Sequence, residues 1–205
     1  TAGVNFDQYD TIEVVRTGLP PDYDVPELSS FQDLTNPPWL QQNIRRMRYE
    51  RPTPIQRHAI PLALKGFDIM CCAQTGSGKT TAFLAPIACS FEHIDIGAKL
   101  VPNKPVQPLA LIIAPTRELA SQIHLEARKL CFGSGYRCVC VYGGASATVQ
   151  LTELAQGVDI LVATPGRLMD FLERGVISLQ LCKFLVLDEA DRMLDMGFEP
   201  QIRKI

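Results

Sequence analysis

A chain of 205 residues with a formal charge of −2 and a pI near 5.9 lacks the field of a general basic nucleic-acid binder, so any contact with nucleic acid must rest on local groups. Seven cysteines, odd in number and without a Cys-x-x-Cys pair, argue against a disulfide framework, and no apolar stretch approaches the ~20 residues of a membrane-spanning helix. The length suits one α/β domain plus a leader, burying roughly 70% of its unfolded surface.

Residues 1–30 carry Asp7, Asp10, Glu13, Asp22, Asp24 and Glu27 against Arg16 alone, with prolines at 20, 21 and 26. Little apolar periodicity is visible there, which predicts an extended acidic arm laid over, or hanging from, a domain at 31–205. Asn36 before Pro37-Pro38 opens a helix on which Leu40, Ile44 and Met47 fall at helical spacing. Trp39 reads as packing for that helix, ahead of the alternative of a base-stacking platform. Thr53-Pro54 opens a second helix, ending near Gly66. From there strand-like runs at Asp68–Cys72, Leu109–Ala114, Arg137–Tyr142, Asp159–Ala163 and Phe184–Leu187 alternate with helical segments. This alternation predicts a parallel sheet with helices on both faces and active residues at the carboxyl ends of its strands. Ile94–Pro108, with three prolines and no periodicity, reads as a surface loop. Cys71, Cys72, Cys138 and Cys140 lie inside apolar runs, as buried reduced thiols of an intracellular protein would. The rival, a zinc site or catalytic thiol, has only His58, His93 and His124 to draw on, none beside a cysteine.

Two segments carry chemistry. Ala73-Gln74-Thr75-Gly76-Ser77-Gly78-Lys79-Thr80, followed by Thr81, joins a strand-like run to a helix start. Gly76 and Gly78 there can take backbone angles closed to other residues and turn successive N–H groups toward phosphate oxygens. The strict phosphate-loop pattern has Gly where this chain has Ala73. Lys79 suits the β/γ-phosphates, and the Thr80 hydroxyl suits Mg²⁺. Asp188-Glu189-Ala190-Asp191 follows the apolar run Phe184–Leu187, placing Asp188 to hold Mg²⁺ and Glu189 to orient or deprotonate an attacking water. A glycine turn and an acidic helix start are the bland alternatives, and the pairing of both motifs with strand-then-helix context disfavours them.

With Arg51-Pro52-Thr53-Pro54-Ile55-Gln56 and Phe31 upstream, Pro115-Thr116-Arg117-Glu118-Leu119-Ala120, Gly143-Gly144 and Thr164-Pro165-Gly166-Arg167, these motifs stand in one order along nearly the whole chain from about Asn5. In that order the chain resembles the DEAD-box ATP-dependent RNA helicases. The leader Asn5–Asp10 and the segment Asp191–Arg203 look like the branch containing Vasa and its translation-initiation relatives. The resemblance implies a RecA-like fold of the P-loop NTPase kind. It also implies adenine recognition by Phe31, Tyr49, Arg51 and Gln56, an amide such as Gln56 being able to pair with the donor-acceptor edge of adenine. Arg48 stands where the family often has Gly before the aromatic, a departure in local turn geometry. RNA contact is implied at Pro115, Thr116, Arg117, Gly143, Gly144, Thr164, Pro165, Gly166 and Arg167, where hydroxyls, glycine N–H groups and helix N-termini bind sugar and phosphate without reading bases. Ordinary turns, and arginines that pair with carboxylates, are the alternative at each.

The reading is therefore the first of two RecA-like domains of an RNA helicase, binding ATP and Mg²⁺ and sequence-tolerant RNA. The chain is expected to be a fragment that stops before the family's Ser-Ala-Thr segment, lacks the last strand of its sheet, and is nearly inactive without the second RecA-like domain. A cytoplasmic location is expected, nuclear or ribonucleoprotein-granule residence being the alternatives, with no membrane partner. A different class of function, a non-enzymatic ATP- or protein-binding platform, is disfavoured by the intact Lys79, Thr80, Asp188 and Glu189.

Overall fold

The computed structural model describes residues 13–20, 23–34, 37–93 and 105–205. The leader motif at 5–10, Asn36 and the segment 94–104 lie outside them. Two compact units divide the chain, Thr1–Ile94 and Asp95–Ile205.

In the first unit α1 (Pro38–Arg46), α2 (Pro54–Leu64) and α3 (Lys79–Ser90) form. Pro37 occupies the N-cap of α1 and Thr53 that of α2, and each helix begins on a proline whose missing N–H would have had no helical partner. Helices α2 and α3 pack on one another, and Leu40, Ile60, Leu84, Ala85 and Phe91 are fully buried. Of the leader, Val25 and Leu28 are buried, and the three-residue spacing continues into Phe31 and Leu34, while Val15 is exposed. Asp68–Cys72, expected as a strand, carries no regular secondary structure, and Met70 is 92% exposed.

In the second unit β1 (Ala110–Ile113), β2 (Cys138–Val141), β3 (Ile160–Ala163) and β4 (Phe184–Leu187) make a parallel sheet in the order β2-β3-β1-β4. Between and after them run α4 (Arg117–Leu130), α5 (Ala147–Leu154), α6 (Pro165–Glu173), α7 (Ala190–Asp195) and α8 (Glu199–Ile202). One sheet face, Leu111, Ile113, Val139, Val141, Leu161 and Ala163, is buried under Leu154, Leu168, Phe171 and Met193. Residues Ala110, Ile112, Ile160 and Val162 point the other way and are equally buried. Helix α4 packs on β2 and β3 through Ala120, Ile123, Ala127 and Leu130, none of which belongs to the first cluster, so helices cover both faces. The β4 edge departs from this pattern, with Leu185 56% exposed. An apolar, exposed edge strand leaves its backbone groups open to pairing. Of the expected loop, Val106 forms a parallel bridge with Ile177.

Candidate nucleotide and nucleic-acid sites

The phosphate loop is shaped by glycines and closed by its own lysine. Gly76 and Gly78 have φ of 81° and 90°, the left-handed region that favours glycine. At Gly78 a Cβ would also sit 2.5 Å from Gln56 Nε2, so both conformation and space demand glycine. Gly78 caps α3, which starts at Lys79. Lys79 Nζ donates to Ala73 O at 2.6 Å. An incoming phosphate oxygen would compete for this ammonium with the stronger, charge-assisted bond. Ser77 Oγ is buried without a hydrogen-bond partner among the described residues, a cost that a phosphate oxygen would relieve. The loop thus fits the triphosphate that its sequence implies. Gln74 and Thr75 are exposed, Thr80 is half-buried, and Thr81 is buried with Oγ1 donating to Tyr49 Oη at 3.2 Å.

Gln56 is 4% exposed and already tied into the protein. Its Oε1 accepts from Thr53 N at 2.9 Å, and its Nε2 donates to Gly78 O at 3.1 Å. The amide thereby links the start of α2 to the end of the phosphate loop. A carboxamide has two donor hydrogens and two acceptor lone pairs, so these bonds occupy half of its capacity, and Gln56 does not line the depression formed by Phe31 and Tyr49. Phe31 and Tyr49 lie nearly parallel, ring centroids 6.0 Å apart at 28°. They line a depression of about 300 Å³ with Gln41, Arg45 and Arg48; Arg51 is exposed and outside that lining. Arg48 has φ +56°. The turn keeps the geometry for which glycine is suited, with arginine in its place.

In the second unit all four strands are parallel, so the segments following them gather at one edge of the sheet. Spatial order there is not sequence order. Gly143-Gly144 follows β2, Thr164–Arg167 follows β3, Pro115–Arg117 follows β1 and Asp188-Glu189 follows β4, which makes the first three turns neighbours. Six of their residues, Pro115, Arg117, Gly143, Thr164, Gly166 and Arg167, line one groove of about 520 Å³ together with Asp170 and Phe198.

Within the groove the polar groups divide into scaffold and free surface. Thr116 Oγ1 accepts from Leu119 N at 3.3 Å and caps α4. Pro165 is buried at the first position of α6, whose N-cap residue, Thr164, makes no capping side-chain bond. Arg167, its side chain 14% exposed, donates to Ala145 O at 3.1 Å, lies 3.9 Å from Asp170 Oδ2 and covers the Phe171 ring at 5.4 Å. It therefore holds the Gly143-Gly144 turn. Arg117, with its side chain 59% exposed, stands over the Tyr142 ring at 5.5 Å, a cation held by an aromatic face. Gln150, absent from the sequence reading, is buried and makes a two-way bond with Tyr142, donating to its O at 3.0 Å and accepting from its N at 3.2 Å. Nothing but the fold identifies it.

Asp188 is nearly buried at the end of β4, its Oδ1 accepting from Glu189 N at 3.1 Å. Glu189 has φ 52° and ψ 50°. A non-glycine residue in this conformation costs about 1 kcal/mol or more and is retained where surrounding structure insists on it. Its carboxylate accepts from Arg192 Nη1 at 3.2 Å, a partner one helical turn on that spacing alone could have suggested.

The DEAD/DEAH box helicase family model matches residues 53–205, and the chain belongs to that family. Among solved structures it is similar to the RNA helicase Prp28 from Chaetomium thermophilum, bound to ADP, at 43% identity and a TM-score of 0.76. That match covers 87% of this chain and 43% of the other, so the chain spans less than half the length of its solved relative.

Proposed function

We propose that this chain is the ATP-binding RecA-like domain of an RNA-dependent ATPase that separates RNA strands or remodels RNA–protein complexes with a second RecA-like domain. Residues 73–81 seat the triphosphate, Phe31, Tyr49 and Gln56 receive adenine, and the groove between the strand ends takes the RNA backbone. By their motifs Thr80 in the first unit and Asp188 in the second are each suited to Mg²⁺, which when bound would neutralise phosphate charge. Glu189 supplies the carboxylate for the attacking water. An intracellular location belongs to the same reading; of the thiols expected to be buried, Cys140 is, whereas Cys71 and Cys72 are exposed because their segment forms no strand.

The observation that carries the RNA part is the groove: three turns distant in sequence line one surface, and two of its glycines need no glycine for the fold. Gly143 and Gly166 lack a left-handed φ, and a Cβ at either meets nothing within 4 Å. Bare backbone there serves something that approaches from outside.

The test separates binding from chemistry in the complete protein. Lys79→Ala is expected to weaken ATP binding and abolish RNA-stimulated phosphate release, whereas Glu189→Gln keeps ATP and loses turnover. Near-normal turnover in Glu189→Gln removes Glu189 from the base role. Unchanged ATP affinity in Lys79→Ala removes the loop from phosphate binding.

A further inference from the structure

The arm at 13–34 has no helix beyond the short 3₁₀ turn Phe31–Asp33, yet a polar clasp fixes it. Arg16 Nε donates to His58 Nδ1 at 2.8 Å, and Arg16 Nη1 donates to Val25 O at 2.6 Å. His58 lies on α2, two residues beyond Gln56, and its Nε2 stands 3.6 Å from Glu27 Oε1. Leu28 N donates to Arg57 O at 2.9 Å, next to His58. Two residues beyond Leu28, Ser30 together with Asp33 braces the turn, Gln32 N donating to Ser30 Oγ and Ser30 N to Asp33 Oδ2. That turn presents Phe31 to Tyr49.

We propose that Arg16 is a positioning residue for nucleotide recognition: by clasping His58 and the Val25 carbonyl it fastens the arm to α2 and holds Phe31 against Tyr49. The inference rests on the reading of Phe31 and Tyr49 as the wall that receives adenine. A guanidinium reaches two acceptors at once with fixed geometry, which the single point charge of lysine cannot reproduce. The clasp needs a neutral imidazole that accepts at Nδ1, with its proton on Nε2 toward Glu27. Burial holds the His58 pKa below its ordinary 6.5; Glu27 opposes this, and Arg16 and Arg57 reinforce it. These three, Glu27 and Arg16 from the arm and Arg57 from α2, are the charges acting on it. Protonation would turn an N–H toward a cation, so the clasp opens as pH falls below that ordinary value.

The experiment titrates a fluorescent N-methylanthraniloyl-ATP against the complete protein at pH 7.5 and 6.0. It compares wild type, Arg16→Ala, Arg16→Lys, His58→Asn and Phe31→Ala, each checked for a cooperative melt. Arg16→Ala is expected to weaken binding roughly three- to tenfold, Arg16→Lys to rescue little of it, and saturated RNA-stimulated turnover to stay near wild type. His58→Asn keeps an acceptor where Nδ1 stood but does not titrate. Its affinity at pH 7.5 should match wild type, and it should lose less affinity at pH 6.0 than wild type does, a comparison in which the titration of ATP itself cancels. Wild-type affinity in Arg16→Ala while Phe31→Ala binds weakly overturns the clasp alone. Undiminished binding in Phe31→Ala overturns the adenine wall beneath it. Should Arg16→Ala fail to fold, His58→Leu, which removes the acceptor at Nδ1, decides at pH 7.5: wild-type affinity there overturns the proposal.

Discussion

Gly166 sits in the first turn of α6, a place where alanine outranks glycine by roughly 0.5–1 kcal/mol in the absence of other demands. The space around it is open. Gly166→Ala is therefore expected to leave the melting midpoint unchanged or raised and to weaken single-stranded RNA binding alike for all sequences, measured by fluorescence anisotropy. Undiminished affinity would assign that glycine to the fold or to nothing. Arg48 gives the opposite case, a residue at φ +56° where an L side chain costs roughly 1 kcal/mol or more. Arg48→Gly should shift the urea midpoint upward, by an amount reduced by glycine's larger unfolded-state entropy, and a downward shift would mean that the arginine's own contacts outweigh its strain. The departure at this position was legible as a sequence anomaly. The residues bearing chemistry were legible too, since each lies in a motif whose spacing its mechanism dictates. Gln150 and Phe198 were not, because their places come from partners that the fold supplies and no local pattern encodes, whereas Asp170 and Arg192 stand one helical turn from Arg167 and Glu189.

At the scale of elements, β1 to β4 sit within a residue of the apolar runs that predicted them; β1 and β3, buried on both faces, need apolar residues without interruption, while β4 keeps its run with Leu185 exposed. Asp68–Cys72 has the same composition and forms no strand. A strand exists by virtue of a hydrogen-bonded neighbour, and composition says nothing of whether that neighbour is present. Arg167 shows a similar limit: its motif marks it for RNA, while its bonds to Ala145 O and contact with Phe171 make it a brace between two turns. Helix α4 carries a testable tie to β2, His124 Nε2 donating to Cys138 O at 3.0 Å. Burial is the main cause that lowers the His124 pKa below 6.5; Arg128 adds to it, and the Cys138 carbonyl and Glu153 oppose it. A histidine kept neutral in the folded state binds fewer protons than in the unfolded chain, so its contribution is complete above 6.5 and is lost as pH falls below it. The urea midpoint should drop between pH 7 and pH 5, and His124→Gln, which retains an N–H donor at the position of Nε2, should flatten part of that drop. An unaltered slope in the variant would show that His124 takes up its proton alike in the folded and unfolded chain.

For the whole molecule the question is how much of the reaction this chain can perform by itself. The residues proposed to take the triphosphate and the adenine, and the acidic tetrad, are all within it, and its solved relative is more than twice as long as the matched portion. Phosphoryl transfer to water needs positive charge on the transferring group, and an arginine finger contributes ~10³ to 10⁵ in rate in related nucleotide hydrolases. Three arginines of the motifs in the second unit are otherwise engaged: Arg192 pairs with Glu189, Arg167 braces the turns, and Arg117 stands over Tyr142 in the groove. Residues 1–205 alone are therefore expected to bind an ATP analogue weakly, to hydrolyse ATP near background with or without RNA, and to separate no strands. The measurement is phosphate release by the purified chain, with folding established by a cooperative melt and single-stranded RNA added in excess. Strong RNA-stimulated turnover that disappears in Lys79→Ala would place a complete active site within these residues and make the second RecA-like domain dispensable for hydrolysis.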